Sequence, residues 1–451
     1  MLNRCKLFLF WWVYFMDKFE RLGTARKYIE EAKNNIGRKL TVAGWVHELR
    51  DLGKVRFVLL RDKTGMVQVT AKKGEVSDDI LKLMDLQKET VIEVTGTVRE
   101  MKNAPDGIEL VPETLQVLGT VSMKLPIDVS DMVPAELDTR LNYRYIDLRR
   151  EIPKAIFSIK SVVANSFRNY LYGHGYTEIF TPCIISAASE GGANLFPIIY
   201  FDREAFLAQS PQLYKQIAVV GGMDKVFMTV PAFRAEKHNT TCHLNEVIQM
   251  DIEQGFANHH DVMDVSAAVF THVLKTVNEK CKAELAVLKT EVKVPSEVKR
   301  YTYSEVVELL NKNDFKMEWG EDFTRETERA VFNILKEELY FIYDWPTQIR
   351  AFYSMPNDDE KTCKGFDLMY RGLEISSGAQ RIHIPELLIT QLKKRGLNPT
   401  DFDFYIRAFR AGAPPHAGWS IGLERATMVI CDQKNIREVA MFPRDRTRLT
   451  P

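Results

Sequence analysis

The stretch PAFRAEKHNTTCHLNEVIQMDIEQGF, residues 231–256, decides the fold. Two apolar-edged segments flank a polar middle that has no helical period, and this pattern predicts a strand, a loop and a returning strand. Because residues two apart on a strand point to the same face, we expect charged side chains on one sheet surface and a histidine in the loop: Arg234, Glu236, Asp251, Glu253 and His243. Such a surface is typical of an enzyme that holds a phosphorylated substrate, although each charge alone also fits an ordinary solvated strand position.

Length and composition describe a multidomain globular protein. At 451 residues the chain is too long for one ordinary core, so two or three domains are expected. Apolar residues make up 45% and charged residues 27%, which is typical of a soluble protein. The 61 basic residues are balanced by 61 acidic ones, so any nucleic-acid contact must come from a local patch. The six cysteines show no CxxC pair and no zinc spacing, which favours free thiols and a cytoplasmic location.

The chain begins with an apolar run that lacks the other parts of a signal peptide. LFLFWWVYFM, residues 7–16, follows two basic residues, but charged residues come directly after it and no small-residue cleavage site is present. The run is too short to span a bilayer, so no membrane partner is expected. We expect that translation starts at Met16, that residues 1–15 are upstream sequence, and that residues 1–30 form an N-terminal extension.

Residues 31–122 carry short alternating runs separated by turn signals, which predict five to six strands. Strands of this number and length favour a small β-barrel, with an OB-fold as the first candidate. Such barrels bind single-stranded nucleic acid by stacking bases on aromatic side chains over a cationic groove. Phe57 lies among basic residues that include Arg50, and Gln68 is on the following strand. Base stacking by Phe57 and burial of its ring inside the barrel are both open.

A hinge is expected at 123–145, where periodicity is weak, and a larger domain at 146–451. In the larger domain Pro153 opens an amphipathic helix, and residues 258–340 are mostly helical, with no chemistry assigned to them. Strands return at LYFIYDWP, AFYSMP and FDLMYRGLEISSG, the last as a hairpin about Arg371–Gly372.

The last element, HAGWSIGLERATMVIC (416–431), is rich in glycine and becomes helical at about Leu423. Gly418 and Gly422 have no side chains, so the backbone there is expected to approach a ligand closely. Arg425 then emerges one turn into the helix. The glycine spacing alone is a weak signal, and it gains weight from Arg234 and the acidic hairpin.

Several separated segments resemble one family. GYTEIFTP, FRAE with HLNE, and HAGWSIGLER resemble the three motifs of class II aminoacyl-tRNA synthetases. EGGANLF, QSPQLYKQ, FDLMYRGLEISSG, PPHAG and FPRDRTRLTP resemble local motifs of the archaeal and eukaryotic aspartyl-tRNA synthetases, in subclass IIb. The likeness covers about residues 20–451, and matches at this many places are very specific.

The resemblance implies an α+β protein with an N-terminal OB-fold β-barrel that binds the anticodon, and an antiparallel six-stranded sheet flanked by helices. It implies ATP as a substrate with Mg²⁺, L-aspartate and tRNA(Asp) as partners, and a homodimer formed through the first motif. Aspartate would attack the α-phosphate of ATP and then pass to the 3′ end of the tRNA. The first step needs charge neutralisation on the phosphates more than a general base, because the carboxylate is already ionised.

The resemblance also assigns roles to individual residues. Arg234 and Arg425 would be the catalytic pair and hold the α- and γ-phosphates. The other implied ATP contacts are Glu236, His243, Glu374 and Gly422. The implied magnesium ligands are Asp367, Glu374 and Ser377, whose oxygen atoms suit that ion. The implied aspartate contacts are Glu190, Gln212, Lys215, Asp251, Ser377 and Arg381, and the implied anticodon contacts are Arg50, Phe57 and Gln68.

Lys215 and Arg381 carry the predicted choice of amino acid. Two cations aimed at the pocket floor are satisfied by the aspartate side chain and left unpaired by asparagine, and unpaired buried charge is costly. In the related asparaginyl-tRNA synthetases, the resemblance implies no lysine at the Lys215 position. An asparaginyl-tRNA synthetase and a catalytically inactive synthetase-like RNA-binding protein are the alternatives.

Three positions depart from the family: Cys242 replaces a frequent arginine, Val247 a frequent aromatic residue, and Ser420 a usual glycine. Their effect on ATP binding is left open. In the barrel, His47 stands where members restricted to tRNA(Asp) tend to carry Trp, and Pro105 lies in a loop where members that also charge tRNA(Asn) tend to have Pro. This pair favours an enzyme that charges both tRNAs.

Overall fold

The structure is a computed structural model that describes residues 26–186, 194–236 and 240–451. The chain divides into two compact units, Met1–Pro134 and Ala135–Pro451. The predictions about the start of the chain and about Glu190 lie outside the described residues.

The first unit is built around a closed barrel. Its strands are β1 (Lys39–Asp51), β2 (Val55–Arg61), β3 (Met66–Lys72), β4 (Val91–Glu100) and β5 (Ile108–Gly119), and its helix α1 is Asp78–Leu83. Short 3₁₀ helices cover Ile29–Asn35 and Pro105–Gly107. The strands follow the order β1–β2–β3–β5–β4 around the barrel, with β3 and β5 parallel and the other neighbours antiparallel. The predicted N-terminal OB-fold barrel is confirmed.

Alternation along the strands separates the barrel core from its surface. Val58 and Leu60 on β2 and Val69 on β3 are fully buried. Phe57, which alternates with them, is only half-buried and lies outside this core. Its ring therefore does not fill the barrel, and of the two interpretations open from the sequence, burial in the barrel core is excluded.

The second unit contains two sheets. Their strands are β6 (Thr177–Glu178), β7 (Ile184–Ile185), β8 (Pro197–Tyr200), β9 (Arg203–Leu207), β10 (Lys225–Phe233), β11 (Glu246–Gly255), β12 (Lys299–Thr302), β13 (Leu339–Pro346), β14 (Thr362–Tyr370), β15 (Leu373–Gln380) and β16 (His416–Gly422). The small sheet has the order β7–β9–β8, and the large one β12–β13–β14–β15–β16–β11–β10–β6.

Six central strands of the large sheet, from β13 to β10 in that order, are antiparallel, as predicted. The sequence prediction is incomplete at both edges, where β12 and β6 add in parallel and make the sheet eight-stranded and mixed. These edge strands have four and two residues, too few for a clear alternating pattern.

Helices flank the large sheet. They are α2 (Leu137–Asn142), α3 (Arg144–Asp147), α4 (Glu151–Gly173), α5 (Gln212–Ala218), α6 (His259–Lys280), α7 (Lys282–Leu288), α8 (Tyr303–Lys312), α9 (Arg325–Leu335), α10 (Pro385–Lys394), α11 (Asp403–Arg410) and α12 (Leu423–Ile430). A π-helical turn spans Val219–Met223, and 3₁₀ turns span Thr347–Ile349, Pro399–Phe402 and Ile436–Glu438. None of the helices in the described ranges is long and apolar enough to cross a membrane.

The helix α4 shows how the apolar pattern builds the core. Its predicted apolar positions recur every three or four residues and are fully buried: Ile156, Ile159, Val163, Phe167 and Leu171. Phe167 packs edge-on against Phe227 on β10 and Trp419 on β16, with ring centroids 5.8 and 6.1 Å away. The helix is thereby fixed to the strands that carry the cavity described below.

Two local predictions change. The predicted hinge 123–145 contains α2 and the start of α3. The predicted strand AFYSMP (351–356) forms only isolated bridges, at Ser354 and Pro356, because proline cannot donate a backbone hydrogen bond to a strand ladder. The hairpin at Arg371–Gly372 is confirmed, and both turn residues have positive φ, 48° and 68°.

Candidate active site

A cavity of about 370 Å³ lies against the central sheet of the second unit. Its walls come from β11, β15, β16, the start of α12 and the segment between β10 and β11. A concave site of this size, lined by several charged groups, suits a small polar ligand.

Arg234 and Glu236 reach the cavity from a short extension beyond β10. The strand ends at Phe233, so the sequence prediction that both lie on the strand is wrong, although both line the cavity. Asn245, directly before β11, holds the extension. The Arg234 N–H donates to the Asn245 carbonyl (2.8 Å), and Asn245 Nδ2 donates to the carbonyls of Arg234 (2.6 Å) and Glu236 (3.4 Å). Asn245 was not predicted as a site residue, because its only signal in the sequence is its place before a strand.

The Arg234 guanidinium makes no hydrogen bond or ion pair within the part of the chain that the structure describes. A cavity-wall cation that has no partner among the described residues is available to an anionic ligand. This agrees with the phosphate-binding role implied by the resemblance.

Arg425, one turn into α12, is held by more contacts than Arg234, and its Nη1 donates to the Glu374 carbonyl at 3.3 Å. Its Nη1 lies 3.5 Å from the Glu374 carboxylate, and its Nη2 lies 3.1 Å from His243 Nε2. A guanidinium only donates, so His243 Nε2 carries the lone pair and Nδ1 carries the proton, which it donates to Thr240 Oγ1 at 2.6 Å. Burial and then the charge of Arg425 lower the pKa of His243, which agrees with a neutral ring.

Arg350, which the sequence analysis missed, occupies two of the three predicted magnesium ligands. Its Nη1 and Nη2 bind both oxygens of Asp367 at 2.9 and 2.6 Å, and Nη2 also donates to Ser377 Oγ at 2.7 Å. Trp345 packs against the guanidinium, 5.1 Å from ring centroid to Cζ. Burial disfavours the Arg350 cation, but Asp367 outweighs burial, and the pKa of Arg350 lies above its usual value.

The predicted magnesium site therefore fits only in part. Glu374 and Ser377 line the cavity, whereas Asp367 is not among the lining residues and is paired with Arg350. Within the described ranges, no group of three or more His, Cys, Asp or Glu side chains is arranged to hold a metal ion. Glu374 and Ser377 remain as oxygen donors that suit magnesium, with Asp367 corrected to a partner of Arg350.

The floor of the site is a buried network of alternating charges. Lys215 Nζ lies 2.6 Å from Asp251 and 3.5 Å from Glu253, and Arg381 binds both oxygens of Glu253 at 3.0 and 3.2 Å. Burial disfavours the Glu253 carboxylate, but Arg381 and then Lys215 outweigh it and hold the pKa of Glu253 below its usual value. Lys215 and Arg381, which were predicted to bind the substrate carboxylate, thus already have carboxylate partners in the protein.

Lys215 and Arg381 differ in their access to the cavity. Lys215 is 1% exposed, is not among the lining residues, and also donates to the carbonyls of Ile252 (3.2 Å) and Trp419 (3.4 Å). Arg381 lines the cavity, and its Nη1 has no acceptor among the described residues. A ligand in the cavity can contact Arg381 directly. Lys215 can contact the ligand only if it gives up one of its existing bonds.

Gly418 serves the floor network rather than a ligand. A Cβ at this position would lie 2.2 Å from Glu253 Oε2 and 2.3 Å from the Ile252 carbonyl, so the Glu253 carboxylate fills the space that a side chain would need. At Gly422, which lines the cavity, the nearest atom to an added Cβ is 3.7 Å away. The prediction of close ligand approach is therefore wrong for Gly418.

Three further polar groups line the cavity. Gln249 Oε1 is buried on β11 and has no hydrogen-bond partner in the described structure, so it can accept from a ligand. Gln212 Nε2 donates to Gln216 Oε1 at 2.8 Å, which fixes the first turn of α5. Ser420 Oγ donates to Asp251 at 2.9 Å, so it serves the floor network. Gln249 and Asp251 are two residues apart on β11, so their side chains lie on the same face of the strand. This spacing could have identified Gln249 from the sequence.

Most predicted site residues meet in this one cavity. Those that line it are Arg234, Glu236, His243, Glu374, Gly422, Arg425, Gln212, Asp251, Ser377 and Arg381, together with the departures Cys242, Val247 and Ser420. Lys215 and Asp367 are described but do not line it.

The predicted anticodon residues share an outer face of the barrel. Phe57 is the cross-strand partner of Arg50 on β1 and of Thr70 on β3, and Gln68 Nε2 donates to Thr70 Oγ1 at 3.1 Å. Arg50 is exposed and Phe57 half-buried, so a cation and an aromatic ring stand together on this surface. His47 lies on β1, and Pro105 begins the turn between β4 and β5.

Comparison with known proteins places the two units in families. Residues 136–446 match tRNA synthetases class II (D, K and N), and residues 40–118 match the OB-fold nucleic acid binding domain. The chain therefore belongs to the class II tRNA synthetases.

Close relatives carry a more particular name. The aspartate–tRNA(Asp/Asn) ligase of Methanocaldococcus jannaschii is 49% identical over 92% of this chain and 95% of its own length. The ligase of the same name from Archaeoglobus fulgidus is 47% identical over 94% of this chain and 100% of its own length. Among solved structures, the asparaginyl-tRNA synthetase of Pyrococcus horikoshii, complexed with asparaginyl-adenylate, matches with a TM-score of 0.89 at 30% identity, over 94% of this chain and 99% of its own. The aspartyl-tRNA synthetase of Entamoeba histolytica matches with a TM-score of 0.86 at 30% identity, over 96% and 94%.

Proposed function

We propose that the chain is an aspartate–tRNA ligase that activates L-aspartate with ATP and charges both tRNA(Asp) and tRNA(Asn). The observation that carries the proposal is the composition of the cavity. Arg234, which has no partner among the described residues, and Arg425, which can exchange its ion pair with Glu374 for a phosphate, both line it above the buried charge network of the floor. The names of relatives about half identical over nearly the whole chain support the choice of amino acid and of both tRNAs. We place the enzyme in the cytoplasm, where free thiols and tRNA occur together.

In the first step an aspartate α-carboxylate oxygen attacks the α-phosphorus of ATP, and the bond to the β-phosphate oxygen breaks, which releases pyrophosphate. Arg234 holds the α-phosphate oxygens, where negative charge is concentrated in the transition state. Arg425 exchanges its 3.5 Å contact with Glu374 for a phosphate oxygen. When bound, magnesium neutralises phosphate charge, and Glu374 and Ser377 are the donors that fit it. In the second step a ribose hydroxyl of the tRNA attacks the acyl carbon and AMP leaves.

Arg381 is the proposed direct contact for the aspartate side chain. Its Nη1 is available in the cavity wall while Nε and Nη2 are held by Glu253, so the fork is already oriented. Lys215 holds Asp251 and Glu253 in place. Gln249 Oε1 and Asp251 offer acceptors for the substrate ammonium, and Gln212 offers a donor for its α-carboxylate.

Lys215 and Arg381 already have carboxylate partners in the buried floor of the site. Asparagine would not leave them unpaired, so discrimination rests on Arg381 Nη1 alone, and an asparaginyl enzyme is the second candidate. ATP–pyrophosphate exchange with each amino acid decides between them. We expect exchange with aspartate at least about a hundredfold above asparagine, as for sites that lose a buried polar partner. The reverse order would overturn the amino-acid assignment, and no exchange with either would favour a non-catalytic protein.

The tRNA assignment needs its own assay. Purified tRNA(Asp) and tRNA(Asn) transcripts are charged with labelled aspartate, and we expect kcat/KM values within about tenfold of each other, about 1.4 kcal/mol. A ratio of several hundred in favour of tRNA(Asp) would limit the enzyme to one tRNA and would leave the exchange result intact.

We propose a homodimer through the segment that includes Phe180. Phe180 (86%), Ile199 (91%) and Phe201 (85%) expose large apolar side chains on the second unit, which suits burial against a second copy. Light scattering on the full chain is expected to give twice 51.9 kDa, and Phe180→Glu is expected to give the single-chain mass. Leu52→Glu, at a 72% exposed residue of the barrel, is the matched control and should stay dimeric. A single-chain mass for the unaltered protein would refute this proposal.

A further inference from the structure

We propose that segment 436–448 is a positioning element of the ATP site, which acts through Thr240 and His243 on Arg425. The inference rests on the proposed function, because it assigns to this segment the orientation of the arginine that takes a phosphate of ATP. Among the described residues that line the cavity, Ile436 is the only one from this segment, so its other residues act at a distance from the ligand. They are positioning residues, and Arg425 is the group that meets the ligand.

Two hydrogen bonds tie the start of the segment to the backbone that precedes His243. The Ile436 N–H donates to the Thr241 carbonyl at 2.8 Å, and Arg437 Nη1 donates to the Thr240 carbonyl at 3.0 Å. Both acceptors are backbone atoms, so these bonds do not depend on the side chains of the two threonines. The segment therefore fixes the backbone next to the cavity.

Arg437 is itself held in place. Its Nε donates to the Asp445 carboxylate at 2.7 Å, and the two side chains are only 10% and 8% exposed. Asp445 also accepts from the N–H groups of Thr447 and Arg448 and from Thr447 Oγ1, each at 2.9 Å. Burial disfavours the Asp445 carboxylate, but hydrogen bonds from Thr447 and Arg437 outweigh burial and lower the pKa of Asp445 to about 2. The carboxylate therefore stays charged at neutral pH and holds the Arg437 fork in one orientation.

A buried arginine from α3 holds the next part of the segment. Arg144 is 1% exposed, and its Nη1 pairs with Asp147 at 2.5 Å. Its Nε and Nη2 donate at 2.9 to 3.2 Å to four backbone carbonyls, those of Arg437, Glu438, Ala440 and Met441. A buried carbonyl that loses its donor costs free energy, so this stretch of backbone is held in one conformation.

Thr240 connects the fixed backbone to His243. Its Oγ1 lies 2.6 Å from His243 Nδ1 and accepts the proton there, and the Cys242 N–H donates to the same oxygen at 3.3 Å. His243 Nε2 is then left with a lone pair, which accepts from Arg425 Nη2 at 3.1 Å. In the other tautomer Nε2 would carry a proton, and two donors would face each other. The threonine oxygen therefore stabilises the tautomer that holds Arg425.

The two ends of the Arg425 fork have different partners. Nη1 lies 3.5 Å from the Glu374 carboxylate and donates to the Glu374 carbonyl at 3.3 Å, whereas Nη2 binds the neutral ring of His243. A phosphate can replace the carboxylate at Nη1 while Nη2 keeps its bond. Because a neutral ring orients the guanidinium without cancelling its charge, the full charge stays available to the phosphate.

The first test compares Thr240→Val with Thr240→Ser. Valine has nearly the shape of threonine without the oxygen, whereas serine keeps the oxygen, and both keep the backbone carbonyl that Arg437 binds. In aspartate-dependent ATP–pyrophosphate exchange we expect Thr240→Val to lower kcat/KM for ATP about tenfold, as for the loss of one hydrogen bond that supports a charged group. Thr240→Ser should keep this value within about twofold, and KM for aspartate should stay within about twofold in both variants.

Arg437→Gln tests whether the segment acts through Thr240. We expect about fivefold lower kcat/KM for ATP in the Thr240 background and no further loss in the Thr240→Val background, because both changes remove the same support. Arg371→Gln is the matched control, since it breaks a partly buried ion pair with Glu338, and neither of these described residues lines the cavity. It should keep kcat/KM for ATP within about twofold.

Nitrogen NMR reads the tautomer without any catalysis. The chain contains nine histidines, and with ¹⁵N-labelled histidine the ring signals that are lost in His243→Gln belong to His243. At neutral pH we expect a protonated Nδ1 and an unprotonated Nε2 in the unaltered protein and in Thr240→Ser, and a mixture of both tautomers in Thr240→Val. A general effect on folding would not separate the two variants in this way.

Three outcomes would overturn the inference: equal losses in Thr240→Val and Thr240→Ser, the same loss from Arg437→Gln in both backgrounds, or a protonated Nε2 on His243 in the unaltered protein. Failure of the proposed function looks different, because the unaltered protein would then show no amino-acid-dependent exchange, while the tautomer seen by NMR would stand.

Discussion

Single residues in the cavity differ in how firmly the protein holds them. Arg234 makes no side-chain pair among the described residues. Arg425 has a 3.5 Å ion pair with Glu374, a 3.3 Å hydrogen bond to the Glu374 carbonyl and a bond to a neutral histidine. Arg350, by contrast, is bound by both oxygens of Asp367 and by Ser377. The first two can transfer to phosphate at small cost, whereas displacing Arg350 would break three charged hydrogen bonds.

Arg425→Ala is expected to lower the rate of aspartate-dependent ATP–pyrophosphate exchange by about a hundredfold to a thousandfold, the usual cost of losing one donor to a developing charge. Arg425→Lys should recover part of this rate, because it restores charge without the fork. Arg407→Ala, at a 69% exposed arginine on α11, is the matched control. Near-normal exchange in Arg425→Ala would remove its assigned role.

Gly418 and Gly422 should respond in opposite ways to alanine. In Gly418→Ala the new methyl group would meet the Glu253 carboxylate at 2.2 Å and backbone at 2.3 Å, so we expect loss of about 3 kcal/mol or more of stability, as for a broken buried charge network. Gly422→Ala meets nothing closer than 3.7 Å and should fold normally. Urea unfolding midpoints compare the two, and equal midpoints would show that the floor is not packed as described.

The sequence located charges but not their partners. Arg234, Arg425 and Asp251 could be predicted because they lie in motifs with a recognisable spacing. Arg350 could not, because it follows a short 3₁₀ turn and meets Asp367 and Ser377 only through the tertiary fold. The pairing of Lys215 with Asp251 was missed for the same reason, and it changes the argument for amino-acid choice.

Elements with strong local rules were predictable. The β14–β15 hairpin has its turn at Arg371–Gly372, where the glycine takes φ of 68° and an added Cβ would lie 2.8 Å from Phe332. AFYSMP has the composition of a strand, yet it forms only isolated bridges. Conversely, β6 joins the edge of the large sheet with only two residues. Whether an apolar run joins a sheet depends on which sheet edge is available in the fold, and the local sequence of the run does not contain that information.

At the start of α6, His259 makes the helix sensitive to acid. The residue is 8% exposed, its Nδ1 has no hydrogen-bond partner in the described structure, and burial followed by His260 lowers the pKa of His259 to about 4. Between about pH 6.5 and that value the unfolded chain binds a proton that the folded chain does not, so stability falls as the pH drops through this window. The total effect is on the order of 3 kcal/mol.

His259→Gln is expected to flatten the decline in unfolding free energy between pH 7 and pH 4.5, because glutamine does not titrate in this range. Urea unfolding at several pH values measures the slope. His174→Gln, at an exposed histidine after α4, is the control and should leave the slope unchanged. A slope in His259→Gln as steep as that of the unaltered protein would show that other groups cause the acid sensitivity.

The described residues form four buried apolar clusters, one in the first unit and three in the second. The buried cluster of the barrel includes only residues of Met1–Pro134, and the main clusters of the second unit include only residues of Ala135–Pro451. A unit with its own core can fold alone. The cavity, with Arg234 and Arg425, lies entirely in the second unit, whereas Arg50, Phe57 and His47 lie in the first.

This division predicts that the two reaction steps can be separated. A fragment of residues 135–451 should fold and keep aspartate-dependent ATP–pyrophosphate exchange within about threefold of the full chain, because no cavity residue is removed. Its kcat/KM for tRNA charging should fall by about a hundredfold or more, since two stacked or hydrogen-bonded bases at 1–3 kcal/mol each are lost. Arg425→Ala in the fragment is the control for contaminating activity. A folded fragment without exchange would show that activation needs the barrel, and full tRNA charging would remove the barrel from recognition of the substrate.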